Sequence, residues 1–220
     1  MEKLKRYLIF FVGLFINSLG VALITKANLG TSPISSIPYV LSLDFSLTLG
    51  QFTIIFSVFL ILLQIIILRK NFRLEDLLQI PISIFFGYFI DLSMNLLHTI
   101  NPKLYTAKAA CLLIGCLILG FGVYTEVLAN VAMLPGESFV RAIVATWNTD
   151  FGKTKIAFDV TMAVSAAIMS FFFFHELNGI REGTIIAALL VGFIARFFGK
   201  QLAAIENFLF EREEDIIEEL

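Results

Sequence analysis

The chain has 220 residues, of which 58% are hydrophobic and 15% charged, with a formal net charge of −2 and a mean hydropathy of +0.89. Soluble domains average roughly 45–50% apolar and about 25% charged residues, so this composition excludes an ordinary soluble domain. Apolar stretches of about 20 residues recur, which is the length that a helix needs to cross a bilayer. They predict a multi-pass protein embedded in the lipid bilayer, and a nucleic-acid-binding role has no support.

The first apolar stretch, residues 7–25, predicts span 1. It follows a short basic segment as a signal peptide would, but no A-x-A-like cleavage site comes after it, so we interpret it as a membrane span. Gly13, Gly20 and Ala27 recur every seven residues along it. Small residues on one helix face predict close approach of another helix.

A polar break at residues 27–33 separates span 1 from a short apolar segment, residues 34–45. This segment is too short to cross a bilayer as a helix, so it predicts a half-helix that dips into the membrane from one side. Ser or Thr at its cap and Pro33 in its first turn would both be favoured there.

The remaining spans follow in order. The first unit continues with span 2 (50–68) and span 3 (77–97), and the second unit holds span 4 (107–127), a short segment (139–146), span 5 (155–174) and span 6 (185–198). Residues 201–220 form an acidic tail. A helix lying on a membrane surface would be basic on its polar face, so the tail predicts a solvated cytoplasmic helix or a protein contact.

The second unit repeats the first at an offset of 102 positions, which divides the chain into a first membrane repeat (1–100), a second (107–200) and the acidic tail (201–220). The matched pairs include two helix glycines, the break residues and a glycine before the next span: Gly13 with Gly115, Gly20 with Gly122, Asn28 with Asn130, Pro33 with Pro135, and Gly50 with Gly152. After a three-residue insertion, Gly87 matches Gly192.

The distribution of Lys and Arg favours cytoplasmic termini and six spans over eight, by the positive-inside rule. Three spans in each unit would place the second unit upside down relative to the first. The expected fold is therefore an all-α polytopic membrane protein with six transmembrane helices. They would form two inverted three-helix repeats, each carrying a short re-entrant or broken helix.

The two breaks, residues 27–33 and 129–138, are the predicted functional segments, because non-helical backbone at membrane depth borders protein or a watery cavity. A half-helix N-terminus there would attract an anionic or dipolar group. The predicted substrate-binding residues come from both breaks: Asn28, Thr31, Ser32, Asn130, Glu137, Ser138 and Arg141.

Structural explanations compete with this interpretation. Glu137 can cap its own helix and pair with Arg141, one turn away. Asn28 and Asn130 can be helix C-caps, although their recurrence favours positions that face each other at the symmetry axis.

Other ionisable residues lie within or near the spans. Asp91 and Arg196 occupy equivalent positions, so we expect a structural ion pair between the units, or else a place on the solute pathway. Asp159 reaches the interface or lines the pathway. Three further groups at span ends are predicted to be interfacial: Glu126, His98 and His175.

Four short motifs, spread over the chain to about residue 200, give it a resemblance to a known family. They are Leu29-Gly30-Thr31-Ser32-Pro33, Leu49-Gly50-Gln51-Phe52, Pro135-Gly136-Glu137-Ser138 and Arg181-Glu182-Gly183-Thr184. In these the chain resembles the YczE/YitT group of bacterial integral membrane proteins. The group's more usual pattern has an acidic or polar residue, often with Arg, in the second break; Glu137 and Arg141 keep these types at a different spacing. The resemblance implies a bacterial cytoplasmic membrane location.

These observations favour a small-solute transporter or permease, with alternating access by the rocking of two units. A passive channel of the same architecture and an accessory membrane protein acting through its acidic tail are the alternatives. We expect no enzyme activity, because no catalytic cluster or nucleotide-binding motif is present, and neither a cofactor nor a metal is indicated. The small size of one copy favours a homodimer.

Overall fold

In a computed structural model, the described part of the chain, residues 2–202, is all-helical. Two short 3-10 turns, Arg69–Asn71 and Leu74–Leu78, join the third and fourth helices. The eight α-helices are α1 (Glu2–Lys26), α2 (Pro33–Asp44), α3 (Leu49–Leu68), α4 (Gln79–Leu96), α5 (Tyr105–Ala129), α6 (Pro135–Trp147), α7 (Phe151–Phe174) and α8 (Glu182–Gln201). Apart from residues 201 and 202, the predicted acidic tail lies outside the described residues.

Six of these helices are long and apolar enough to cross a membrane: α1, α3, α4, α5, α7 and α8. They coincide with the six predicted spans. The helices α2 and α6 have 12 and 13 residues. At 1.5 Å per residue they reach only about 20 Å, which is less than the roughly 30 Å of a bilayer core.

The centre of the bundle is the crossing of α1 and α5. A methyl group added to Gly20 would lie 2.5 Å from the backbone nitrogen of Leu119, and one added to Gly122 would lie 2.5 Å from that of Asn17. Residues later in α1 contact residues earlier in α5, so the two helices run antiparallel. Two more glycines line the same crossing: Gly13 against Glu126, and Gly115 against Ile24. The predicted packing role of this glycine stripe is confirmed.

Two helices flank this central pair, α4 against α1 and α8 against α5. The α1–α4 contact joins aromatic rings and hydroxyls in parallel order: Phe11 with Phe85 (5.2 Å between ring centres), Phe15 with Phe89 (5.5 Å), and Ser18 with Ser93 (2.9 Å between hydroxyl oxygens). The α5–α8 contact is also parallel, with Gly120 close to Ile194 and the ring of Tyr124 beside that of Phe198 (6.3 Å between ring centres). The main apolar core lies between these four helices.

The ends of the helices define two sides of the molecule. We call the side where α1 ends the distal side, and the side where α1 begins the proximal side. Lys26, Thr48 and His98 line one distal cavity, so α1 ends, α3 begins and α4 ends on this side. Tyr124 and Phe198, near the ends of α5 and α8, lie together on the proximal side.

The two short helices meet inside the bundle. Gly136, in the first turn of α6, packs so closely on Ile34, in the first turn of α2, that an added methyl group would overlap the isoleucine side chain. From this contact α2 runs back to the distal side, where Tyr39 and Ser42 line the same cavity as Lys26. The helix α2 therefore runs from its buried contact with α6 to the distal side.

The halves differ in how their last two spans pack. In the first half, α3 and α4 are in close contact, because Gly50 faces the backbone carbonyl of Gly87. In the second half, Gly192 has no atom of another described segment within 4 Å, and Gly152 meets only Asp150 of its own turn. Along these glycines, α7 and α8 therefore lack the contact that closes α3 on α4.

Candidate functional site

The first break is held in place by the start of α8. The backbone N–H of Gly183 donates to the carbonyl of Leu29 (2.8 Å), and the N–H of Thr31 donates to Oγ1 of Thr184 (3.2 Å). Gly30 between them has φ +120°, and a side chain there would overlap the Thr184 hydroxyl. This backbone conformation and this close approach both require glycine. Two of the motifs noted in the sequence are thus in direct contact.

The hydroxyl groups of the first break are buried and mutually bonded. Thr31 is fully buried and its hydroxyl lies 3.1 Å from that of Thr25. Ser32 is the N-cap of α2 with Pro33 after it, as predicted, but its hydroxyl donates to that of Ser35 (2.9 Å) instead of accepting from the helix backbone. Both side chains are therefore buried in this structure.

A polar cavity of about 620 Å³ opens at the distal side beside the first break. Its walls are the end of α1, α2, the start of α3 and the end of α4. The cavity is lined by Thr25, Lys26, Asn28, Tyr39, Ser42, Leu43, Thr48, Leu49, Asp91, Met94, His98, Ile100 and Asn101. Of the predicted substrate-binding residues, Asn28 lies here.

Asp91 forms part of this cavity wall and binds the start of α3. Its Oδ2 accepts from the Thr48 hydroxyl (2.6 Å), and its Oδ1 accepts from the backbone N–H of Gly50 (2.9 Å). Within the described residues no ion pair joins Asp91 to Arg196, which is exposed on α8. The expected pair does not form, because α4 packs on α3 and α1 whereas α8 packs mainly on α5.

Glu126 occupies a different position from the one predicted. It is only 6% exposed, and one carboxylate oxygen accepts from the side-chain amide of Asn17 on α1 (2.8 Å). The prediction that Glu126 is interfacial is therefore wrong. The sequence indicates this burial, since Glu126 stands four residues after Gly122 and three before Ala129, on the same helix face as the glycine stripe.

Glu137, in the first turn of α6, lies among charges from three helices. Its electrostatic neighbours are Glu126 of α5, Arg141 of its own helix, and Lys155 and Asp159 of α7. Lys155 and Asp159 form an ion pair with 2.6 Å between Nζ and Oδ1. Asp159 thus has a local structural partner one helical turn away.

Glu137 does not make the local contacts that a purely structural role would give it. The N-cap of α6 is Leu134, and no side chain caps the helix. Arg141 is exposed, and no ion pair among the described residues joins it to Glu137. Ser138 beside it is half-buried.

Two glutamines that the sequence analysis did not single out hold the start of α6. Gln64 of α3 is 1% exposed, and its amide N–H₂ donates to the backbone carbonyl of Pro135 (3.2 Å) and to Oε1 of Gln79 (3.2 Å). Gln79 returns a hydrogen bond to Oε1 of Gln64 (3.3 Å). The residue type could have indicated these hydrogen bonds, because an uncharged amide inside an apolar span needs a hydrogen-bond partner in lipid.

The structure brings together the starts of the two short helices but separates the two asparagines. Asn28 and Asn130 both adopt a left-handed conformation after a helix, with φ 53° and 48°, and both are exposed. They are caps at the ends of an antiparallel pair, each about ten residues or roughly 15 Å beyond the crossing. They therefore do not face each other. No group of three metal-binding side chains occurs in residues 2–202.

Comparison with known proteins places the chain in a family. The sequence model of a family of unknown function, DUF6198, matches residues 4–200. The chain belongs to this family. It is 28% identical over 214 residues to "Uncharacterized membrane protein YczE" of Bacillus subtilis (strain 168), covering 96% of this chain and 93% of that one.

A second relative from the same organism, "Uncharacterized protein YyaS", is 28% identical over 194 residues, which cover 88% of this chain and 92% of the relative. No solved structure matches the chain. The resemblance to YczE noted in the sequence is confirmed, and this DUF6198 protein is a multi-pass membrane protein related to a Bacillus membrane protein.

Proposed function

We propose that this DUF6198 protein is a small-solute transporter of the bacterial cytoplasmic membrane, with its proximal side in the cytoplasm. One observation carries the proposal: the N-termini of two half-helices meet inside the bundle, next to a polar cavity. This cavity opens on the distal side and extends inward as far as the first break. Interrupted helices that meet near the middle of the membrane are typical of the binding sites of secondary transporters.

The proposal includes two inverted repeats, and the central contacts support this arrangement. A two-fold axis makes every contact occur twice with the partners exchanged. The exchange is checked by adding 102 to the number of the first residue of a contact and subtracting 102 from the number of the second. The Gly20–Leu119 contact then becomes the Gly122–Asn17 contact, and the Gly13–Glu126 contact becomes the Gly115–Ile24 contact. Ile34 and Gly136, which touch, are themselves 102 positions apart, as expected for residues at the axis.

In this proposal the solute passes the starts of α2 and α6. The free N–H groups and positive dipole ends of the half-helices favour negative or dipolar groups there. Glu137 and the hydroxyls of Thr31, Ser32 and Ser138 supply polar side chains, and Arg141 with Asn130 lies toward the proximal side. The contact of Ile34 with Gly136 closes the path, and Asn28 lies in the open distal cavity.

The unequal packing of the two halves supplies a physical basis for alternating access. In an inverted-repeat transporter, the conformations of the two repeats exchange when access changes sides. We therefore expect a second state in which α8 closes on α7 as α4 now closes on α3. The counterparts of the hydrogen-bonded pair Thr48 and Asp91 are Asp150 and Arg196. Their opposite charges would form an ion pair in that state.

We expect a spin-label distance to report this second state. Labels on cysteines replacing Phe151 and Phe197, in a background with Cys111→Ala and Cys116→Ala, mark the proximal ends of α7 and α8. Electron–electron resonance should show a second, shorter distance, and Arg196→Gln should reduce its population because the ion pair is lost. The matched control is Lys200→Gln, a neighbouring exposed cation. A single distance between the two labels, unchanged by Arg196→Gln in active protein, would contradict the proposed exchange of conformations between the repeats.

Uptake into proteoliposomes tests the transport function itself. Across a panel of small solutes, we expect saturable uptake. Glu137→Gln should lower the uptake rate about tenfold or more, because ionisable groups within the membrane typically line the path of the solute. Asn130→Ala should reduce uptake less, and Glu75→Gln, at an exposed position in the 3-10 turn before α4, should leave it unchanged. Folded protein that takes up no solute would contradict the proposal.

Two further experiments separate the alternatives. A passive channel would conduct without saturating, which electrophysiology detects. An accessory protein that acts through its tail would lose its cellular function on deletion of residues 206–220, whereas a transporter would keep its uptake.

A further inference from the structure

The distal cavity carries two opposite charges that do not neutralise each other. Lys26 at the end of α1 and Asp91 on α4 both line it, and neither forms an ion pair with another described residue. We propose that this cavity binds a small zwitterion, with its carboxylate on Lys26 and its ammonium group on Asp91. The inference deepens the proposed transport function by naming the class of solute, and its test separates the two.

Lys26 is suited to hold the carboxylate. Its side chain is half-buried and faces the cavity beside Asn28. An ammonium group near the membrane boundary gains more from an opposite charge than it would in bulk water, because the effective dielectric constant is lower. No carboxylate of the described residues occupies it, so its three N–H donors are available.

Asp91 is suited to hold the ammonium group. Both of its current hydrogen bonds come from neutral donors, the Thr48 hydroxyl and the Gly50 N–H, so its negative charge is not cancelled. Each carboxylate oxygen has a second acceptor site. These two bonds fix the carboxylate against the start of α3, which reduces the entropy lost on binding.

The pair of charges discriminates between ligand classes. Asp91 repels a simple anion and Lys26 repels a simple cation, whereas a zwitterion satisfies both. The rest of the lining provides polar side chains and an apolar part made of Leu43, Leu49, Met94 and Ile100. A cavity of about 620 Å³ lies within the range of ordinary small-molecule sites, so a zwitterion with a modest apolar side chain fits.

The test compares three molecules that share the same branched (CH₃)₂CH–C unit. L-Valine carries both charges, isobutylamine lacks the carboxylate, and 3-methylbutanoate lacks the amine. Binding to the full chain in lipid nanodiscs is measured by calorimetry. We expect L-valine to bind about tenfold or more tightly than either single-charge analogue, because each analogue leaves one charge of the site opposed or unpaired.

Charge-removing variants make the result specific. Lys26→Gln should weaken L-valine binding about tenfold and shift the preference toward isobutylamine, while Asp91→Asn should shift it toward 3-methylbutanoate. A misfolded variant would lose all three ligands and cannot produce opposite shifts. The control is Lys103→Gln, an exposed lysine outside the cavity, which should bind L-valine as the unmodified protein does.

Equal binding of 3-methylbutanoate and L-valine, or unchanged preferences in both variants, would overturn the inference. The outcome for transport is read separately. Saturable uptake that is indifferent to Lys26 and Asp91 would keep the transport function and reject the zwitterion site. Selective binding of L-valine without any uptake would support the site and reject transport.

Discussion

Gly20→Ala and Gly122→Ala are each expected to lower the free energy of unfolding by about 2 kcal/mol or more. The added methyl group would lie 2.5 Å from a backbone nitrogen of the opposite helix, Leu119 for Gly20 and Asn17 for Gly122. A side chain can rotate away from such a clash, but a helix backbone cannot, so the two central helices must separate. The measurement is reversible unfolding in mixed micelles.

The same substitution at Gly192 is the matched control. No atom of another described segment lies within 4 Å of that position, so Gly192→Ala should not destabilise the protein. Alanine stabilises a helix by about 1 kcal/mol relative to glycine. This gain opposes the loss expected at the crossing, so a net loss of stability indicates the clash. Equal stabilities for all three variants would show that α1 and α5 do not approach as closely as described.

Asn17→Leu is expected to cost about 2–4 kcal/mol, because it removes the donor that a buried carboxylate uses. Asn17 donates to Glu126 over 2.8 Å, and Glu126 is 6% exposed. The double variant Asn17→Leu/Glu126→Leu should recover most of this loss, since two apolar side chains of similar size replace both partners. Unfolding in mixed micelles gives the three values.

The single variant Glu126→Leu completes the thermodynamic cycle. It leaves a neutral amide unpaired, which is less costly than an unpaired carboxylate, so its loss should be smaller than that of Asn17→Leu. If the double variant loses as much as the two single variants together, Asn17 and Glu126 are not coupled, and the hydrogen bond contributes nothing to the crossing.

The sequence predicted the helices well because their signal is local. A run of about 20 apolar residues defines a span wherever it packs, and residues 34–45 are simply too short to be one. The polar, proline-bearing breaks marked where α2 and α6 begin. The glycine stripe predicted a close helix contact, although only the structure shows that α1 and α5 are the two partners.

The candidate site was predicted less completely, because it depends on which helix faces meet. The sequence placed Asp91 opposite Arg196, but the carboxylate binds the start of α3. It assigned Glu126 to the interface from its place near the end of a span, whereas the helix face decided its burial. The distal cavity draws on four segments that are far apart in the chain, so no local pattern indicated that Lys26 and Asp91 line one cavity.

The two hydrogen bonds between the first break and the start of α8 attach that end of α8 to the first break. Gly183 and Thr184 move with Leu29 and Thr31, since the bonds join backbone to backbone and backbone to hydroxyl. A swing of the proximal end of α8 toward α7 would therefore turn the helix about this attachment. This rotation would displace the segment that leads into α2, so a motion at one face of the membrane would be coupled to a motion at the other.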